Sequence, residues 1–243
     1  LAAPLRLTIV DAIRGLAIAG VVLFHFVWDL EFAGFISGVA YHPLWLGFGR
    51  SLAGSFMLLV GVSLVLAARA SLRAGPYLRR LGKIIAAAAA ITVVTFYIMP
   101  DRFIYFGILH AIVAATLVGT LLLRAPTWVC LLAGLAVFLA PIMWQSQVFD
   151  TRWLAWIGFA ERIPLSNDFV PIFPWVGLTL LGMAGTKLLL SLDLTAPLGR
   201  WEPDGCLGHS LVWMGRRSLM IYLVHQPVLL SVILPLSQAL SAQ

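Results

Sequence analysis

Asp11, Arg14, His25 and Asp29 interrupt a run that is otherwise apolar. At about 100° per residue they fall within a sector of roughly 60° on one helix face. Charged groups inside lipid are costly unless they face a cavity or a partner, so the stripe is expected to point into a helix bundle. Arg14 and His25 are eleven residues apart, hence about 16 Å along the axis. That separation suits a substrate threaded along the helix, with a phosphate or other anion at Arg14 and a reacting group delivered to His25. Asp29 lies one turn further on, where a carboxylate can hold the imidazole in one tautomer and raise its basicity, with Asp11 completing the anion end. The purely structural alternative is an Asp11–Arg14 ion pair at a helix end, with His25 and Asp29 as interhelical hydrogen-bonding groups.

Other residues carry weaker signals of the same kind. Ser218, Tyr222 and His225 share a face by i, i+4, i+7 spacing, and Pro227 frees a carbonyl one turn earlier, so a kinked polar face is expected to point inward. Arg216 and Arg217 open that last apolar segment, where they could hold phosphates or act as a basic anchor. Arg50 could bind an acceptor or snorkel to the headgroups. His110 stands alone among apolar residues and could line the same cavity or serve as an interhelical donor. Asp168, ahead of Pro171 and Pro174, could bind an acceptor amine or hydroxyl or simply start a helix. Arg79, Arg80 and Lys83 suit anionic lipid. Gly47, Ser51 and Ser55, spaced by four, suit close helix packing.

The elements that position these groups follow from composition. Of 243 residues, 61% are apolar and 11% charged, against about 45–50% and 25% in an ordinary soluble domain. With a mean hydropathy of +0.99, the chain reads as an all-α polytopic membrane protein forming one membrane domain over residues 1–243. Runs of about 20 apolar residues predict seven spans near 8–30, 45–68, 82–99, 104–124, 127–146, 170–190 and 215–238. Asp11 and Arg14 within the first run, and no short apolar core ending in an A-x-A-type site, argue for a retained helix over a cleaved signal. Arg6, Arg14, Arg69, Arg73, Arg79, Arg80, Lys83, Arg124, Lys187, Arg200, Arg216 and Arg217 collect on one side, against Arg102, Arg152 and Arg162 on the other. The positive-inside rule then puts the N-terminus in the cytoplasm and, after seven crossings, the C-terminus outside. The stretch from Gln145 to Asp168, with Trp153, Trp156 and Phe159, suits the headgroup zone as a lid or an interfacial helix. The net charge of +6 is the basic excess of an inner-membrane protein and implies no nucleic-acid partner. Cys130 and Cys206 have no metal-type spacing, so no metal is expected.

Arg14, ten intervening residues and His25 resemble the Arg-x10-His motif of transmembrane acyltransferases, the group that includes the acyltransferase-three family. The wider text resembles bacterial relatives of heparan-alpha-glucosaminide N-acetyltransferase: Val10-Asp11-Ala12-Ile13-Arg14-Gly15-Leu16-Ala17, His25-Phe26-Val27-Trp28-Asp29-Leu30, Gly107-Ile108-Leu109-His110, Asp168-Phe169-Val170-Pro171-Ile172-Phe173-Pro174-Trp175, and Gly215 through Pro227. The resemblance implies transfer of an acyl group, in the first instance acetyl, from cytoplasmic acyl-CoA to a sugar amine or hydroxyl across the membrane. It also implies a catalytic histidine, which in the lysosomal enzyme lies in the loop after the first helix and in the Arg-x10-His enzymes within that helix. The sequence offers both, as His42 and His25.

The resulting expectation is an inner-membrane acyltransferase in which Arg14, helped by Arg216 or Arg217, holds the CoA. His25 then acts either as general base or as a covalent acyl carrier. Partners are acyl-CoA, a glycan acceptor and membrane lipid, with a homo-oligomer left open. The rivals are a transporter or lipid flippase whose polar stripe lines a path and makes no bond, and a non-catalytic membrane component whose polar face binds a partner helix.

Overall fold

A computed structural model describes residues 7–69 and 73–241; Arg6, counted above among the basic residues, lies outside them. The described chain is helical, with α1 (Thr8–Phe32), α2 (Pro43–Arg69), α3 (Ala74–Ile98), α4 (Ile108–Leu121), α5 (Thr127–Met143), α6 (Arg152–Ala155), α7 (Ile172–Ser191), α8 (Thr195–Gly199), α9 (Gly205–Arg216) and α10 (Ser218–Ser241). Among the described residues the only extended pairing is a single parallel bridge between Phe106 and Phe169. Five helices, α1, α2, α3, α7 and α10, are long and apolar enough to cross a membrane, and α4 and α5 are shorter apolar helices. At 14 and 17 residues, α4 and α5 measure about 21 and 26 Å.

Two elements depart from the sequence expectation. The segment before the last span is an amphipathic helix, α9, so Arg216 is its last residue and Arg217 joins it to α10. A search for long apolar runs passes over such a helix, because its length and hydropathy are those of an ordinary surface element. The stretch from Gln145 to Asp168 is chiefly irregular, with a 3-10 turn at Gln147–Phe149 and one helical turn at α6. Trp144, Phe149, Phe159 and Phe173 form its aromatic cluster, while Trp153 is exposed.

The chain divides into two compact units. The unit Phe56–Pro197 is built on α5 against α7, with α4 packed on both α7 and α3. Its core holds Met57, Leu180, Met183, Val176 and the buried Thr179, whose hydroxyl donates to the Met57 carbonyl at 2.7 Å. The Lys187 ammonium donates to the carbonyls of Leu122, Leu123 and Ala125, which end α4 and begin the turn into α5. A cation there is favourable, because it adds a donor to carbonyls at a helix C-terminus and in the turn that follows it.

The second unit, Leu7–Ser55 with Leu198–Gln243, is built on α1 against α9 and α10. Two glycines permit the α1–α9 contact. A Cβ on Gly15 would collide with the Leu211 carbonyl, and a Cβ on Gly215 with the Asp11 carbonyl. Both are backbone atoms, which cannot swing aside. Gly15→Val is therefore expected to lower stability by about 2 kcal/mol through overpacking. Thermal unfolding in detergent should show a clear drop in Tm for it and none for Gly47→Ala, where a Cβ meets nothing within 4 Å.

Candidate active site

The α1–α9 contact sets the first group of candidate residues. Asp11 is buried, and its two oxygens accept from different helices: Oδ1 from Arg14 Nη1 at 3.0 Å and Oδ2 from Arg216 Nε at 3.3 Å. Two guanidinium groups thus meet at one carboxylate. The Arg216 side chain is half exposed and that of Arg14 largely buried, so the cluster presents N–H donors outward from a carboxylate anchor. Arg217 takes no part in it and lies over the Trp213 ring at 4.8 Å. The sequence pairing of Asp11 with Arg14 is present, and Arg216 joins it from α9, 205 residues beyond Asp11.

Eleven residues along α1, His25 faces α10. Its ring lies 4.9 Å from that of His225, and the Tyr222 ring is 5.5 Å from His225. His225 is buried, and its Nδ1 is 2.6 Å from the Tyr222 carbonyl oxygen. A carbonyl only accepts, so Nδ1 carries the proton, and the neutral ring keeps a lone pair on Nε2. That Nε2 is buried without a hydrogen-bond partner. Asp29, expected to orient His25, is engaged through one oxygen by α10: Gln226 Nε2 donates to its Oδ1 at 2.8 Å. Asp29 Oδ2 and Gln226 Oε1 are likewise buried and unpartnered. Of the polar groups in contact here, the sequence reading gave Gln226 no role. Its signal was available, since Gln226 falls within about 100° of the face shared by Ser218, Tyr222 and His225.

His42 is exposed at the head of α2, where its Nδ1 accepts from the Leu44 N–H at 3.3 Å. In the neutral ring this leaves the proton on Nε2, so His42 presents a donor where His225 presents a lone pair. His42 borders an open groove of about 450 Å³ walled by Leu23, Val39, Leu44, Trp45 and Phe48. Glu31 builds the loop that carries it: the carboxylate accepts from the backbone N–H of Gly38 at 3.1 Å, Val39 at 2.8 Å and Ala40 at 2.7 Å. Gly34 and Gly38, at φ of 82° and 77°, supply turns that other residues adopt only at a cost. Arg50 is exposed on α2.

His110 and Asp168 meet at the start of α4 in the other unit. Asp168 Oδ2 accepts from the Ile108 N–H at 2.8 Å, and His110 Nδ1 from the Gly107 N–H at 3.2 Å. The Thr92 hydroxyl donates to the Ile104 carbonyl, which leaves its oxygen to accept from His110 Nε2 at 3.2 Å. Both ring nitrogens are thus used, and a carboxylate at a helix N-terminus is where the helix dipole favours one. Nearby, Tyr105 donates to the Pro164 carbonyl, and burial pushes its phenol up to about 12 even though the Arg152 charge acts to lower it.

Comparison with known proteins adds the decisive observation: the family described as "Heparan-alpha-glucosaminide N-acetyltransferase, catalytic" matches residues 6–227. The chain belongs to this family. No curated protein and no solved structure matches the chain. Membership points to an acetyltransferase, and the apolar helices make it a multi-pass membrane protein. The match spans the Asp11–Arg14–Arg216 cluster and the His25–His225 pair. Among the described residues no group of three or more His, Cys, Asp and Glu is arranged to hold a metal.

The capping geometry gives a direct test of what Asp168 does for its own unit. Asp168→Ala is expected to cost about 1 kcal/mol through loss of the α4 N-terminal acceptor. Thermal unfolding measures it, and an unchanged Tm would count against a capping role.

Proposed function

We propose that the protein transfers an acetyl group from acetyl-CoA, presented at the cytoplasmic face of a bacterial inner membrane, to an amine or hydroxyl of a sugar or glycan on the periplasmic side. The chain acts as one membrane domain. The observation that carries this reading is a pair of imidazoles 4.9 Å apart, on α1 and α10 of a chain in this acetyltransferase family.

The residues fit the donor's chemistry. Arg14 and Arg216, both anchored on one buried carboxylate, suit the phosphates of a CoA as guanidinium donors. When bound, the thioester supplies an activated acyl carbon, and the chain supplies position and proton transfer. His25 takes the proton from the acceptor N–H or O–H as that nitrogen or oxygen bonds to the acyl carbon. The carbon–sulfur bond breaks, and His25 returns the proton to the departing sulfur, giving acetylated acceptor and free thiol. His225 supports His25 in this role. With Nδ1–H fixed on the Tyr222 carbonyl, its Nε2 lone pair can accept the N–H that His25 gains on protonation. Tyr222, beside His225, borders the acceptor.

Free thiol release from acetyl-CoA by the purified protein, with candidate amino sugars, tests the reading. His25→Ala is expected to lower kcat by about 10² to 10⁴-fold. Arg14→Ala is expected to raise the KM for acetyl-CoA about tenfold, the worth of one charge-assisted hydrogen bond. Both apply to variants that remain folded by size-exclusion chromatography. Direct transfer requires both substrates together and gives intersecting initial-rate plots; parallel plots would replace it with an acyl-histidine relay. A folded wild type that neither binds nor turns over acetyl-CoA would overturn the assignment in favour of a transport path.

A further inference from the structure

The pair formed by Asp29 and Gln226 has a chemical imbalance that the histidines do not resolve. Asp29 is 2% exposed, and one of its oxygens is matched by the Gln226 amide N–H. The other oxygen, and the Gln226 carbonyl oxygen, are buried with no donor among the described residues. Turning the Gln226 amide over would set two oxygens against each other, so the observed orientation is the one a carboxylate requires. Both unpartnered atoms are acceptors. Left unmatched, buried acceptors carry a full desolvation penalty, and lipid around a spanning helix offers no donors. Two of them on one hydrogen-bonded pair of residues, one turn beyond His25 on α1 and next to His225 on α10, make a site complementary to O–H or N–H groups.

We infer that Asp29 and Gln226 form a second acceptor subsite, which takes the hydroxyl or amine adjacent to the one being acetylated. The inference rests on the acetyltransferase reading and deepens it. The acceptor is a vicinal amino alcohol or diol, the arrangement found around a sugar ring, and not a molecule with a single nucleophilic group. The spacing supports this. Residues four apart on a helix set their side chains about 5–6 Å apart at Cβ, so a ligand whose reacting atom is at His25 brings its neighbouring heteroatom toward Asp29. Gln226 acts here as a specificity residue. It holds one carboxylate oxygen and adds its own unpartnered carbonyl to the unpartnered oxygen of Asp29.

The test compares two small acceptors that differ only in the second donor, 2-aminocyclohexanol and cyclohexylamine, with acetyl-CoA and the full chain in nanodiscs. Wild type is expected to favour the amino alcohol by tenfold or more in kcat/KM. In Gln226→Met that ratio is expected to fall to about two or less, with Asp29→Asn as the second variant should the first not fold. A ratio near one in wild type, or a ratio preserved in the folded variant, overturns the inference. Were thiol release absent with every acceptor, the acetyltransferase reading would fail instead, and calorimetric titration of the two amines would decide the subsite alone. Tighter binding of the amino alcohol that is lost in Gln226→Met supports it, and equal binding overturns it.

Discussion

The contact between α1 and α9 exists because two glycines let backbone meet backbone, and the first group of candidate residues depends on it. With any side chain at Gly15 or Gly215 the helices would stand apart, and Arg216 would lie too far from Asp11 to share it. Asp11 is then the hinge of the charge arrangement. A buried carboxylate is tolerable only when its oxygens are matched, and here each oxygen takes a different arginine. The helix pair and the ion cluster are one construction, in which packing allows the charges to meet and the charges make the packing specific.

The histidines show how local hydrogen bonding divides residues of one type into different chemical tools. His225 donates through Nδ1 and keeps a lone pair at Nε2. His42 accepts at Nδ1 and keeps a proton at Nε2. His110 spends both nitrogens on Gly107 and Thr92. Only a ring with a usable lone pair can begin by taking a proton. The lone pair of His225 belongs to a ring 4.9 Å from that of His25, where it can support a proton taken by His25, on the same helix that supplies Gln226 to Asp29. An assignment based on residue type alone would treat all of these rings as equivalent.

Much of this was legible in the sequence. The all-helical membrane character followed from composition, and the α1 stripe from a 3.6-residue period, because both depend on local or averaged properties. The Asp11–Arg14 pair was legible for the same reason, being three residues apart. What joined the stripe to other helices was not. Arg216 reaches Asp11 only because α9 ends where it does, and α9 is too short and too polar to stand out among apolar spans. Gln226 carries no charge, so nothing in its type pointed to a carboxylate on α1. For His110 and Asp168 the sequence left a structural role open beside a functional one, but spacing cannot say that the groups they serve are the Gly107 and Ile108 N–H donors at the start of α4. Pairings between distant segments are set by packing, and a single sequence records packing only indirectly.

The lengths of α4 and α5 bear on the bilayer itself. At about 21 and 26 Å they fall short of a hydrocarbon core of about 30 Å. The Lys187 ammonium, holding the carbonyls of the turn between them, marks that turn as polar. A polar turn at the end of an undersized hairpin pulls headgroups and water inward, since thinning the membrane costs less than leaving an ammonium in oil. Around this unit the lipid is therefore expected to be pinched, and the insulating layer that any group must cross there is narrower than in the surrounding membrane.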